Sequence, residues 1–275
     1  MFSIQLMCQV LRVNRSSYYA WRHRQCCHRD RSTQQLMEQI RLIFESSRRT
    51  YGTRRIKREL AKQGAQVSRR RIGNLMAVLG LKCRTKKKFK VTTDSKHSLP
   101  LAPNRLERCF KADAPNQVYV SDITYIWTQQ GWLYLAVVID LFSRKVVGWS
   151  IQGHMKADLV NQALLMAIAH RQPPDGLISH SDRGSQYASH SHRAILKHHG
   201  MLQSMSRKAN CWDNAVAESF FHTLKTELIY GRTLKTKEET KKIIFEYIEV
   251  FYNRTRLHSA NDYLSPVEYE EAVNF

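Results

Sequence analysis

The chain of 275 residues carries 44 Lys and Arg against 23 Asp and Glu, a net charge of +21, and 43% of it is hydrophobic. That apolar content excludes wholesale disorder. The longest apolar run, Trp132 to Ile139, is too short to span a bilayer, no secretory signal pattern opens the chain, and the six cysteines form no disulfide rhythm, so a reduced cytoplasmic protein is expected.

The charge is uneven. Residues 1–111 hold 27 basic and 6 acidic residues, whereas residues 112–275 hold 17 of each. A basic module joined to a neutral one suggests a polyanion-binding region on a separate working domain. In chain order, residues 4–11 and 15–24 read as two short helices, and 33–46 follow a helical period through Leu36, Ile40, Ile43 and Phe44. Thr53 can cap a helix carrying Ile56 and Leu60 that Gly64 ends. Ser68 can cap a second, carrying Ile72, Leu75, Met76 and Leu79, that Gly80 ends. Two short helices around a tight turn fit a helix-turn-helix unit, whose second helix opens on Arg69, Arg70 and Arg71. A helical hairpin with a solvated basic face is the competing reading, and the local charge favours DNA binding over it.

Residues 82–90 are a basic run around one aromatic, with Lys86, Lys87 and Lys88 as candidate phosphate contacts, and a polar stretch with Pro100 and Pro103 follows. The boundaries expected are a helical region over 1–82, a linker over 83–112 and a catalytic core with a C-terminal helix over 113–275. A solubilising tether is the competing reading of the linker.

Residues 118–127, 132–141 and 145–151 read as three strands in meander order, turned at Gln130-Gly131 and Ser143-Arg144. The middle one is nearly all apolar, as a strand covered on both faces would be. A helix near 156–170, a strand at 176–181, a helix at 189–199, a strand at 202–206 and helices over 213–229 and 237–252 follow. The pattern predicts an α/β fold with a mixed five-stranded sheet flanked by helices, behind an all-α region.

Three carboxylates stand out by placement. Asp122 interrupts a strand of β-branched residues, where Asp is depleted. Asp182 ends the fourth strand, where α/β sheets gather ligand-binding groups. Glu218 falls at the rim of an apolar helix face made by Val216, Ala217, Phe220, Phe221, Leu224 and Leu228, with Lys225 beside it two turns on. Taken singly, an edge-strand Asp, a turn Asp and a solvated Glu would explain them. Taken together, oxygen donors without His or Cys suit Mg²⁺ or Mn²⁺, and two such ions can clamp a phosphodiester.

The blocks Ser121-Asp-Ile-Thr-Tyr-Ile, Gly131 to Arg144, His180-Ser-Asp-Arg-Gly-Ser-Gln-Tyr and Asp213 to Lys225 resemble the retrovirus-integrase-like core of bacterial insertion-sequence transposases. Thirty-five residues separate Asp182 from Glu218, the spacing of the DD(35)E signature. The tail Tyr252-Asn-Arg-Thr-Arg-Leu-His and Leu264-Ser-Pro also matches. Upstream, Ser16-Ser-Tyr-Tyr-Ala-Trp and Tyr51-Gly-Thr-Arg-Arg-Ile resemble the second-frame (orfB) product of the insertion-sequence-three group. The resemblance implies a ribonuclease-H-like fold, with Asp122, Asp182 and Glu218 as metal ligands and catalytic residues. It implies Lys225 as a contact to phosphates of the transposon end, and strand cleavage followed by strand transfer. It also implies DNA ends and target as partners, a homo-oligomer on DNA and a frameshift fusion to an upstream orfA segment. Such an enzyme would work in the cytoplasm on the nucleoid. The zinc module of viral integrases is not expected, because His23, Cys26, Cys27 and His28 are too close together to chelate tetrahedrally. A non-catalytic DNA-binding regulator and a stand-alone nuclease remain alternatives.

Overall fold

The computed structural model describes residues 3–23, 28–83, 100–107, 109–207 and 211–273. Lys86, Lys87 and Lys88 of the basic run, and Cys26 and Cys27, expected not to bind zinc, lie outside the described residues. The chain divides into two compact units, Met1–Cys83 and Arg84–Phe275.

The first unit is helical: α1 (Ile4–Val10), α2 (Arg15–Arg22), α3 (His28–Ser46), α4 (Thr53–Lys62) and α5 (Arg69–Val78). Helix α3 begins earlier than its apolar period suggests, because its first turns are polar and give no amphipathic signal. Helix α4 begins at Thr53 itself, with Gly52 as its cap, so the threonine is inside the first turn. The Ser68 hydroxyl caps α5 by accepting from the Arg71 N–H. Ile40, Phe44, Ile56, Leu60 and Ile72 are fully buried and make the core of this three-helix set. Arg69, Arg70 and Arg71 are exposed at the start of α5, and Arg71 Nη2 donates to Thr33 Oγ1 at 3.3 Å.

The second unit is a five-stranded sheet in the order β3-β2-β1-β4-β5. Its strands are β1 (Val118–Thr128), β2 (Gly131–Asp140), β3 (Val146–Gln152), β4 (Ile178–Ser181) and β5 (Leu202–Met205). The first three are antiparallel, while β4 and β5 run parallel to β1. Gly131 turns the first hairpin at φ +99° and Arg144 the second at φ +62°. The expected mixed sheet with helices on both faces is what forms. On one face α6 (Ala157–Arg171), α7 (Ser185–Ala188) and α8 (His190–His198) pack. On the other pack α9 (Ala215–Leu224) and α10 (Lys237–Phe245), each continued by a π-helical segment, Lys225–Ile229 and Glu246–Tyr252. A final helix, α11 (Pro266–Ala272), closes the unit.

Two apolar clusters follow from strand alternation. Val118, Val120 and Ile126 of β1 join Ala217, Phe220, Phe221 and Leu224 of α9 in one. Tyr119 joins Leu159, Ala163 and Leu164 of α6 in the other. Gly148 of β3 lets α6 approach, since a Cβ there would overlap the Ala163 carbonyl and Ala167.

Three polar fasteners hold the C-terminal segment to the sheet and to the π-helical turn after α9. The Asn253 side chain bonds both the N–H and the C=O of Val146, at 3.0 and 2.9 Å. Arg171 joins buried Asp140 (3.3 Å) to Glu270 (2.7 Å). Glu227 and Arg256 form an enclosed ion pair at 2.8 Å.

The composition places residues 100–112 in a linker, yet much of this stretch packs on the second unit. Leu106 is buried in the α9 cluster, the Arg105 N–H donates to Ser204 Oγ at 2.9 Å, and Asn104 Nδ2 donates to Asp213 Oδ2 at 3.0 Å.

Candidate active site

Strand register places the first two carboxylates. In the parallel β1–β4 pair, Ser121 stands opposite Ser181. The next residues, Asp122 and Asp182, therefore leave neighbouring strands side by side, with strands spaced about 4.8 Å apart. Beyond this point β4 ends while β1 continues to Thr128, so the edge of β1 from Asp122 onward has no β4 partner. Each aspartate spends one oxygen on the backbone: Asp122 Oδ1 accepts from the Ile123 N–H at 2.8 Å, and Asp182 Oδ1 from the Gly184 N–H at 2.9 Å. Both side chains are half-buried.

Asp122 lies on the β1 face that looks at α9, because it shares parity with Val120 and Ile126. The start of α9 is clamped there. Asn214 Nδ2 donates to the Ser121 carbonyl at 3.3 Å. Buried Asp213 accepts from Asn104, from the Arg207 N–H at 2.9 Å and from the Arg207 guanidinium at 2.9 and 3.0 Å. Glu218 follows on the first turn of α9, exposed beside fully buried Ala217.

These groups sense one another. The Asp122 carboxyl is pushed well above the usual aspartate range, first by desolvation and then by the charges of Asp182 and Glu218; the Ile123 N–H and Lys225 pull the other way. The Asp182 charge acts on Asp122 more strongly than the Glu218 charge does. Lys225 is held below the usual lysine range by burial, partly offset by Asp122.

Lys225 departs from the helical-wheel expectation that it sits at the rim with Glu218. It is 6% exposed. The reason is the π-helical turn that starts at this residue: Lys225, Thr226, Glu227 and Leu228 are all buried, which no single face of a 3.6-residue helix permits. Its Nζ lies 4.7 Å from the Tyr125 ring centroid.

Tyr187 was not singled out by the sequence. It is 2% exposed, and its hydroxyl has no hydrogen-bond partner among the described residues. Burial, then the Asp122 and Asp182 charges, push it well above the usual tyrosine value. Leaving a buried hydroxyl unsatisfied costs about 1–3 kcal/mol. Tyr187→Phe should therefore fold and be as stable as the parent or more so, by up to about 1 kcal/mol in urea unfolding. A clear loss of stability would show that the hydroxyl is satisfied in solution.

Family comparisons match this layout. The integrase core domain family matches residues 112–211 and a second integrase core domain family residues 218–273, while an HTH-like domain family matches residues 31–89. The InsF transposase of insertion sequence IS3A from Escherichia coli is 44% identical over 275 residues, 98% of this chain and 94% of that one. The chain belongs to the IS3-type insertion-sequence transposases. The 31 kDa protein of insertion element IS600 from Shigella sonnei is 45% identical over 265 residues, 96% of this transposase and 97% of that protein. Among solved structures, a chain of the simian T-cell lymphotropic virus intasome is 19% identical, covering 78% of this chain and 70% of that one at a TM-score of 0.49. The integrase core and the transposase relatives make this protein a DDE-class polynucleotidyl transferase.

Enzymes of this class use divalent metal. The donor chemistry of the site suits such an ion, with carboxylate oxygens only, Asp122 and Asp182 adjacent, and mutual repulsion that a cation would relieve. Among the described residues, no three His, Cys, Asp and Glu side chains are already gathered into a coordination set. No helix among the described residues is long and apolar enough to cross a membrane.

Proposed function

We propose that this transposase cleaves and joins insertion-sequence ends through Asp122, Asp182 and Glu218. The observation that carries the reading is the register that sets Asp122 beside Asp182 at the open edge of β1, with the Glu218 and Lys225 charges acting on the same carboxylate. Asp122, Asp182 and Glu218 would hold Mg²⁺ or Mn²⁺ through their carboxylate oxygens. When bound, a pair of such ions would supply nucleophile activation and leaving-group stabilisation for in-line displacement at phosphorus. Lys225, whose ammonium lies 4.7 Å from the Tyr125 ring centroid, would meet a phosphate of the end being cut.

The domain assignment proposed is a helical DNA-binding region over 1–82, a basic linker from 83, and a catalytic core from 113 to 275. Arg69, Arg70 and Arg71 would meet DNA at the start of α5, and Lys86, Lys87 and Lys88 would neutralise phosphates. The working particle would be a homo-oligomer on DNA, acting in the cytoplasm on the nucleoid, with an orfA segment fused upstream.

The test is a strand-joining assay. The chain, with and without a fused orfA segment, is incubated with Mg²⁺, labelled transposon-end DNA and target. Joined products with a 3′-hydroxyl donor are expected. Hydrolysis without joining would favour a stand-alone nuclease, and binding without either reaction would favour a regulator.

A further inference from the structure

Beside the carboxylates lies a feature that their chemistry does not require. Trp127 and Trp132 face each other across the β1–β2 hairpin, with ring centroids 4.9 Å apart at 70°. Tyr125, one step nearer Asp122, meets Trp132 at 5.2 Å and 84°. The Lys225 ammonium covers the Tyr125 ring at 4.7 Å. The three rings and the lysine touch in succession near the tip of the hairpin, as a stair, and the Lys225 ammonium at the inner end, whose charge acts on Asp122, links them to the active site. Cross-strand aromatic pairs stabilise hairpins, but that role does not require indoles left 57% and 43% exposed. Large exposed rings ending at a buried cation are surface suited to a flat, anionic partner.

The charge pattern selects the partner. Residues 112–275 carry no net charge, so the general positive field there is weaker than in the basic first part of the chain. Stacking supplies affinity without charge and without sequence preference, since every base has a π-face. Resting on the proposed action at DNA ends, we infer that the Trp127–Trp132–Tyr125 stair is a stacking platform for unpaired nucleotides of the DNA held in the active site, with Lys225 taking the phosphate at its inner end.

The test uses the full chain in EDTA, so that nothing is cut, with duplex DNA of arbitrary sequence that is either blunt or carries a short unpaired 3′ tail containing 2-aminopurine. The tailed duplex should bind about tenfold more tightly, a factor within the range of one or two base–aromatic stacks, and the 2-aminopurine emission should fall on binding. The Trp127→Ala/Trp132→Ala double variant should lose that preference and the quenching while keeping blunt-duplex affinity. Trp127→Leu, which keeps apolar bulk on the hairpin but no indole face, should lose part of it. Blunt duplex bound as tightly as tailed duplex would overturn this inference alone. So would a double variant that keeps the preference, or one that loses self-association in sedimentation with DNA binding intact, since that would seat a protein on the stair. Binding of neither DNA would remove the proposed function and this inference together.

Discussion

Asp182→Asn should reduce strand cleavage by about a thousandfold or more under the proposed triad, since losing a carboxylate that holds the catalytic ions would forfeit several kcal/mol of transition-state stabilisation and each 1.36 kcal/mol is tenfold. DNA affinity should stay close to the parent value, because the phosphate contacts proposed lie on other side chains. A second readout separates a catalytic role from damage to the fold. Asp122 is pushed up by the Asp182 charge, so the two carboxylates oppose folding when no cation is present. Asn at 182 keeps an oxygen for the Gly184 N–H and removes the repulsion. The variant should therefore melt at a higher temperature than the parent in EDTA, as is common where an active site is strained for function. Added Mg²⁺ should raise the melting point of the parent and leave that of the variant nearly unchanged. Near-normal cleavage by Asp182→Asn, Asp122→Asn or Glu218→Gln would refute the triad. A lower melting point in EDTA would show that Asp182 is structural.

Much of this site is legible in the sequence, and the limits of legibility have physical causes. Asp122 stands out because a carboxylate amid β-branched residues violates strand preference, and Asp182 because a strand end is a chemically meaningful place in an α/β sheet. Their adjacency depends on the β1–β4 register, a non-local pairing that no local pattern encodes. The helices over 213–229 and 237–252 are legible as apolar stretches, but not their π-helical ends. A wheel drawn at 100° per residue places Lys225 on the rim, whereas the wider turn carries it inward. The aromatic stair reads locally as ordinary strand composition, and only the hairpin pairing and Lys225 from the π-helical turn after α9 make it continuous. The tail motif Asn253-Arg-Thr-Arg256 resembles a family signature, and the structure gives it a mechanical meaning. Asn253 fastens to Val146, and Arg256 reaches Glu227 in the same turn as Lys225.

That last contact carries the largest stability prediction. Arg256 Nε and Nη2 bond Glu227 at 2.8–3.1 Å, and the Tyr247 hydroxyl donates to Glu227 Oε2 at 2.8 Å. Both charged side chains are under a tenth exposed, at 8% for Glu227 and 6% for Arg256. Removing one partner of such a pair strands the other charge in a poorly solvated place, which costs about 3–5 kcal/mol. Glu227→Gln should lower the melting point by roughly 6–20 °C, taking 2–4 °C per kcal/mol for a unit of this size. It should also weaken cleavage, because the π-helical turn that buries Lys225 is held at Glu227. The triple change Glu227→Leu, Arg256→Met and Tyr247→Phe replaces every member of the network by an apolar side chain. It should recover most of the lost stability, since the desolvation cost of the ion pair disappears with the pair itself. If Glu227→Gln melts within a degree or two of the parent, water reaches the pair in solution and the turn at Lys225 is held by packing alone. If the triple variant is no more stable than Glu227→Gln, the network contributes more than its desolvation costs, and the ion pair is a net source of stability for the catalytic unit.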